Sequence, residues 1–98
     1  MSAYGLTKRK RTAIINALTK AGWGDVIMTD WEYEGDLKLT AEEWVEGKGM
    51  AGDYYAFDTP DTVLYDEFGT NLEIEKILNK YGCYAEWYDT AVISVARK

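Results

Sequence analysis

Acidic side chains alternate with other residues over the segment 30–36. This spacing suits either a calcium-binding loop or an exposed acidic strand. The segment reads Asp-Trp-Glu-Tyr-Glu-Gly-Asp. Oxygen ligands at every second position, followed by glycine, are typical of the first half of an EF-hand calcium loop. The twelfth position of such a loop is Ala41, however, and residues 26–29 favour a strand rather than a helix. We therefore expect an exposed acidic strand here, with no metal and no cofactor.

The composition removes most of the chemistry that enzymes use. The chain has no histidine and one cysteine, Cys83, which excludes Ser-His and Cys-His nucleophile pairs and the commonest zinc ligand. With 17 acidic residues, a pair of carboxylates that suits acid–base catalysis arises by chance. The glycine-rich stretch 47–52 lacks the features of a phosphate-binding loop. We expect a non-enzymatic protein in which Cys83 is a small buried residue on a strand.

Charge is distributed unevenly along the 98 residues. The net charge is −6, yet residues 1–24 carry +5, residues 25–75 carry −13 and residues 76–98 carry +2. An acidic block of this kind disfavours binding to nucleic acid or to an anionic membrane, and it favours a basic partner or divalent cations. The block also holds eight aromatic residues, so we expect an ordered acidic surface rather than a disordered tail.

The acidic surface has a spacing that suits a groove built to bind DNA. Acids two residues apart on a strand are about 6.6 Å apart, and one DNA strand places a phosphate about every 3.4 Å along the duplex axis. A row of such acids could therefore occupy a groove of arginines and lysines. Trp31, Tyr33 and Trp44 are predicted to be core anchors, because their spacing fits buried faces. The predicted partner-binding residues are Asp30, Glu32, Glu34, Asp36, Glu42, Glu43 and Glu46, with Tyr54 and Tyr55 as a second contact.

The elements that position these residues begin with a helix over residues 8–21. Thr7 is its predicted N-cap, and Gly22 ends it. The basic run 8–11 occupies its first turn, where the helix dipole disfavours positive charge, so these bases either pair with the acidic block or serve a partner. Alternation over residues 26–40 predicts a β-hairpin with a turn at Gly35-Asp36.

Two capping boxes predict two further helices. Thr40-Ala41-Glu42-Glu43 predicts a helix of about two turns that ends at Gly47, followed by a mobile glycine loop over 47–52. Residues 53–57 and 62–65 are candidate short strands on either side of a turn at 58–61. Thr70-Asn71-Leu72-Glu73 predicts a helix that ends at Gly82, and helical spacing predicts a buried face of Ile74, Ile77, Leu78 and Tyr81.

The C-terminal residues 83–88 and 91–97 predict a second hairpin across Asp89-Thr90. The predicted order is therefore α-β-β-α-(β)-α-β-β over one domain, residues 1–98. This order indicates an α+β fold, in which two or three helices pack on one face of a small antiparallel sheet.

In size and composition the chain resembles the small acidic proteins with which phages and mobile elements block host defence, such as anti-CRISPR and anti-restriction inhibitors. The resemblance covers the whole chain and carries over no motif and no site residue. It implies a stoichiometric inhibitor that occupies a nucleic-acid groove or a subunit interface.

The leading hypothesis is a non-enzymatic inhibitor whose acidic, DNA-mimicking surface binds a basic protein, without direct contact to nucleic acid or membrane. One alternative is a structural or self-assembling subunit, a homo-oligomer in which the basic ends meet the acidic middle of a neighbour. Another is a small domain that binds a cation or ligand through carboxylates. No targeting segment or apolar run of spanning length is found, so we expect a protein of the cytoplasm, that of the host cell if phages encode it.

Overall fold

The computed structural model describes residues 6–28, 37–54, 64–66 and 68–98. Helix α1 spans Lys8–Lys20 and is followed by a short 3-10 turn at Gly24–Val26. Strands β1 (Lys38–Thr40), β2 (Trp44–Val45) and β3 (Gly49–Met50) come next. Helix α2 then spans Leu72–Lys80, and strands β4 (Cys83–Trp87) and β5 (Val92–Arg97) end the chain. The architecture is α+β, with two helices and small antiparallel sheets.

The main sheet has three antiparallel strands in the order β1-β5-β4. Leu39 of β1 lies opposite Ile93 of β5, and Ala85 of β4 lies opposite Val95. Ile93 to Ala96 are all buried, which is the expected pattern for a central strand that is covered on both faces. The predicted C-terminal hairpin is confirmed, although the strands end at Trp87 and restart at Val92, so the connection is longer than two residues.

Both helices contribute to the core that covers one face of this sheet. Helix α1 starts as predicted, because the Thr7 hydroxyl accepts a hydrogen bond from the Lys10 backbone N–H at 3.1 Å. Each helix buries two large side chains one turn apart, as their spacing predicts. The largest fully buried side chains include Ile14, Leu18, Trp23, Leu39, Ile74, Leu78, Ile93 and Val95. Cys83 belongs to the same core, as predicted, and burial raises the pKa of its thiol.

The predicted N-terminal hairpin is present at its base. Ile27 pairs antiparallel with Leu39, and the Met28 N–H donates to the Lys38 carbonyl at 3.1 Å. Val26 lies in the 3-10 turn rather than in a strand. The tip of the hairpin, including the predicted Gly35-Asp36 turn, lies outside the described residues.

The predicted helix over residues 40–47 is wrong. Thr40 pairs with Val92 at the end of β1, and Trp44–Val45 pairs antiparallel with Gly49–Met50. A helix of two turns is marginal in water, whereas tryptophan and valine favour strands. The pairing continues past β1, because the Ala41 N–H donates to the Ala91 carbonyl at 2.8 Å.

The stretch 47–52 is also not a mobile loop. Gly49, Ala51 and Gly52 are buried, and Gly52 pairs with Thr70. The predicted strands 53–57 and 62–65 are not found in the residues that can be described there. Asp53 bonds to Gly69 outside any strand, and Tyr65 forms an isolated bridge with Asn71.

Candidate partner-binding surface

Three of the predicted contact residues surround a tight hairpin. We call residues 42–50, which contain β2 and β3, the acidic hairpin. Glu42, Glu43 and Glu46 are all exposed on it. Their carboxylates make no hydrogen bond or ion pair to another of the described residues, so their charge is available to solvent or to a partner. Asp30, Glu32, Glu34, Asp36 and Tyr55 lie outside the described residues.

Local chemistry explains why these residues form a hairpin. Val45 lies opposite Gly49, so three residues make the connection, and the Lys48 N–H donates back to the Val45 carbonyl at 3.0 Å. Gly47 adopts a φ of 79°, a conformation that glycine accepts without strain. The turn points two of the acids, Glu43 and Glu46, away from the core residues that β2 and β3 contact.

Trp44 is exposed, which corrects its prediction as a core anchor. Its side chain keeps 66% of its accessible surface, whereas the next residue, Val45, packs against the core. Alternation along a strand places successive side chains on opposite faces, so one of the two must point outwards. Trp44 therefore presents a large aromatic surface to solvent among three carboxylates.

The acidic hairpin is attached firmly to the start of α2. The buried Asn71 side chain donates from Nδ2 to the Lys48 carbonyl at 3.2 Å and to the Met50 carbonyl at 3.1 Å. Its Oδ1 accepts the Glu73 backbone N–H at 2.9 Å, which makes Asn71, rather than the predicted Thr70, the N-cap of α2. The Tyr65 hydroxyl accepts the Met50 N–H at 3.2 Å. One buried amide therefore joins the hairpin to the helix.

A second attachment joins the hairpin turn to α2 and to Trp23, which lies between α1 and the 3-10 turn. Lys48 Nζ donates to Glu73 Oε1 at 2.7 Å and lies 5.6 Å from the centre of the Trp23 ring. Trp23 Nε1, on a fully buried side chain, donates to the same oxygen at 2.9 Å. The bond from Lys48 holds the pKa of Glu73 below its usual value, against an opposing effect of burial. Glu73 is therefore used within the fold, although its side chain is exposed.

A groove that the sequence analysis missed lies between the turn that contains Asp66 and residues 68–70 and the edge of β4. We call it the aromatic groove. It has a volume of about 280 Å³ and is lined mainly by apolar atoms. Three aromatic side chains, Phe68, Tyr84 and Trp87, line it together with the carboxylates of Asp66, Glu75 and Glu86. The sequence Asp-Glu-Phe-Gly at 66–69 is a turn signal, and an aromatic residue inside a turn could have indicated exposure.

The turn that forms one wall of the aromatic groove is held by Asp66. Its Oδ1 accepts the Phe68 N–H at 2.8 Å and the Thr70 N–H at 3.0 Å. Gly69 has a φ of 85°, and a Cβ there would collide with the Asp53 carbonyl oxygen. Any other residue at this position would have to move the backbone. Phe68 keeps 66% of its surface exposed on this rigid turn.

The other wall contains a half-buried carboxylate. Glu75 Oε1 accepts the Ala85 backbone N–H at 2.6 Å, which satisfies a donor on the outer edge of β4. Burial raises the pKa of Glu75, and the backbone bond opposes this shift. Tyr54, a predicted contact residue, is partly exposed and packs edge-on against Trp87 of the groove, with ring centres 5.3 Å apart.

Two further features concern side chains that could bind a metal and the basic residues at the start of α1. Among residues 6–28, 37–54, 64–66 and 68–98, no group of three metal-binding side chains could hold an ion. Lys8 and Arg9 are exposed in the first turn of α1. Their pairing with the acidic block stays a prediction, because many of its acids lie outside the described residues: Asp30, Glu32, Glu34, Asp36, Asp58, Asp61 and Glu67.

Neither helix in the part of the chain that the structure describes has the length and apolar character needed to cross a bilayer. No known family model, no curated protein and no solved structure matches the chain. The argument for function therefore depends on the surfaces described above.

Proposed function

We propose that the protein is a non-enzymatic inhibitor that binds a basic, nucleic-acid-binding protein of the host cytoplasm through an acidic, DNA-mimicking surface. The observation that supports this proposal is the exposed Trp44 between exposed carboxylates on a firmly attached hairpin. Aromatic residues dominate the energy of protein interfaces, and an acidic rim accelerates association with a basic surface.

The resemblance to phage anti-defence proteins in size and composition suggests the class of target. A folded acidic protein can compete for a phosphate-binding groove without being cleaved. The acidic hairpin would supply one part of the contact, and the predicted acidic strand at residues 30–36 would supply another. Binding of this kind depends strongly on salt, because exposed charges are screened within about 10 Å at 0.1 M ionic strength.

Neutralisation of the acidic hairpin tests the proposal. The variant Glu43→Gln/Glu46→Gln and the wild type serve as baits in bacterial lysate at low and high salt, and captured proteins are identified by mass spectrometry. The captured protein is then purified and loaded with labelled duplex DNA. We expect the wild type to displace the DNA at low salt, and the variant to associate about tenfold more slowly. A second variant, Glu32→Lys/Glu34→Lys, tests the acidic strand in the same assay.

A matched control removes the effect of net charge. Thr12→Lys/Asn79→Lys changes the net charge by the same two units at exposed helical positions away from the hairpin. It should leave the association rate within about twofold of wild type. A role for the acidic hairpin would be contradicted if the wild type and the hairpin variant associated at the same rate. It would also be contradicted if the hairpin variant and the control lost the same fraction of the association rate.

Self-assembly is a second candidate function, favoured by a specific observation. Four large apolar side chains are exposed on the described surface, namely Trp44, Phe68, Leu72 and Tyr88. Such side chains often mark contacts between proteins. In a self-assembly the basic ends would meet the acidic middle of a neighbour, so light scattering should show dissociation as salt rises. A constant monomer mass over the salt series and over protein concentration would contradict this alternative.

A further inference from the structure

We infer that the aromatic groove receives an arginine side chain of a basic partner protein. This inference rests on the proposed function for the charge of the partner, and it adds a second contact to the one that the acidic hairpin makes. The groove combines two features, namely aromatic side chains and carboxylates.

The apolar lining decides between the two kinds of basic side chain. A guanidinium group is planar and weakly hydrated, and it stacks on aromatic rings while it donates hydrogen bonds to carboxylates. A lysine ammonium is compact and strongly hydrated, so it loses more on entering a groove lined by Phe68, Tyr84 and Trp87. The volume of about 280 Å³ lies at the lower end of the range for ligand pockets, which suits one side chain.

The charges that face the groove complement a cation. Asp66, Glu75 and Glu86 all line it. One oxygen of Asp66 and one of Glu75 accept backbone N–H groups, and a carboxylate has further acceptor sites on its second oxygen. Glu86 accepts a long bond of 3.4 Å from the Tyr84 hydroxyl. Lys98 is the positive group that acts on Glu75, and its effect is smaller than that of burial.

The two walls of the groove are connected before any partner arrives. Trp87 Nε1 donates to the Phe68 carbonyl oxygen at 2.8 Å, across the bottom of the turn. Together with the two bonds to Asp66, this contact holds the backbone of the turn that carries Phe68. A pre-formed site loses little conformational entropy on binding, which improves affinity for a small group.

The test uses the capped peptides Arg-Gly-Arg and Lys-Gly-Lys, added to the isotope-labelled full chain and followed by NMR. The Trp87 indole N–H reports on the groove directly, because it bonds to Phe68. We expect the arginine peptide to shift this signal saturably, and the lysine peptide to bind several-fold more weakly. Phe68→Ala should weaken binding about two- to fivefold, and Phe68→Leu should lose nearly as much, because it keeps apolar bulk without the aromatic face.

Glu86→Gln should also weaken the arginine peptide, by up to about fivefold. The matched control is Asp25→Asn, which removes an exposed carboxylate outside both the groove and the acidic hairpin, and it should leave the shift at Trp87 unchanged. Phe68 and Glu86 are exposed or partly exposed, and an unchanged amide spectrum shows that each variant is folded. Equal binding of both peptides, or a Phe68→Ala variant with wild-type affinity, would overturn the inference.

The two proposals fail in different ways. Peptide shifts confined to the acidic hairpin would overturn the arginine site and leave the proposed function standing. Binding at the groove, combined with hairpin variants that capture and displace like wild type, would support the arginine site and contradict the hairpin's role. A peptide that shifts no signal at the groove overturns the further inference whatever the capture experiment shows.

Discussion

The acidic hairpin and the start of α2 contain the same type of side chain in opposite roles. Glu42, Glu43 and Glu46 are exposed, and the described structure does not use their carboxylates in its own bonds. Glu73 and Glu75, by contrast, accept hydrogen bonds from Lys48, Trp23 and the Ala85 backbone. The hairpin therefore leaves its negative charge exposed, whereas the helix uses negative charge to join elements. The number of acids in a segment does not distinguish these roles.

The largest expected effect comes from the amide that joins the two regions. Asn71→Ala removes the N-cap of α2 and the donors to two hairpin carbonyls, so we expect a loss of about 3 kcal/mol in the free energy of unfolding. Urea titration followed by circular dichroism measures this loss. Asn71→Ser keeps an oxygen that can cap α2 and places no second acceptor against the hairpin carbonyls, so it should lose less than the alanine variant.

A smaller loss in the free energy of unfolding is expected when the Glu73 carboxylate of α2 is neutralised. Glu73→Gln should lower the free energy of unfolding by about 1 kcal/mol at neutral pH, a value discounted because the pair is partly exposed. The pKa of Glu73 is lowered on folding, so its contribution is present above the ordinary pKa of 4.5 and is lost as pH falls through the folded pKa. The difference between variant and wild type should therefore shrink in acid.

The matched variant in the acidic hairpin is Glu43→Gln, which removes one exposed carboxylate. We expect its free energy of unfolding to stay within about 0.5 kcal/mol of wild type at every pH. A loss as large as that of Glu73→Gln would erase the difference between the two regions.

The smallest expected effect is a gain, rather than a loss, in the free energy of unfolding. Burial raises the pKa of Glu75, so its ionisation destabilises the fold at neutral pH. Glu75→Gln keeps an oxygen that can accept the Ala85 N–H, and we expect it to stabilise the protein by less than about 1 kcal/mol. The gain should be present above the folded pKa and absent below the ordinary pKa of 4.5. Thermal melts of wild type and Glu75→Gln across this pH range measure the gain. If Glu75→Gln were less stable than wild type at neutral pH, the fold would favour the charged form of Glu75.

The elements that the sequence predicted well depend on local signals. Thr7 caps α1, Ile74 and Leu78 are buried one turn apart on α2, and Cys83 is a core residue, all as expected. These predictions succeed because helix caps and apolar periodicity act between residues a few positions apart.

The predictions that failed depend on contacts between distant residues. Residues 40–47 carry a capping box, yet Thr40 pairs with Val92 and Trp44 pairs with Met50. The cap of α2 shifts by one residue to Asn71, because its amide also serves the carbonyls of Lys48 and Met50. The aromatic groove joins Asp66 and residues 68–70 to β4 and has no short-range signature beyond a turn.

The sequence by itself determined the negative charge of the middle segment, the start of α1 at its Thr7 cap, and the absence of histidine chemistry. Only the tertiary structure decided which acids stay exposed, that Trp44 points to solvent, and that Phe68 and Trp87 form the walls of a groove. The physical reason is the distance along the chain over which each interaction acts. Charge and helical periodicity are properties of neighbouring residues, whereas exposure depends on which distant segments cover a side chain.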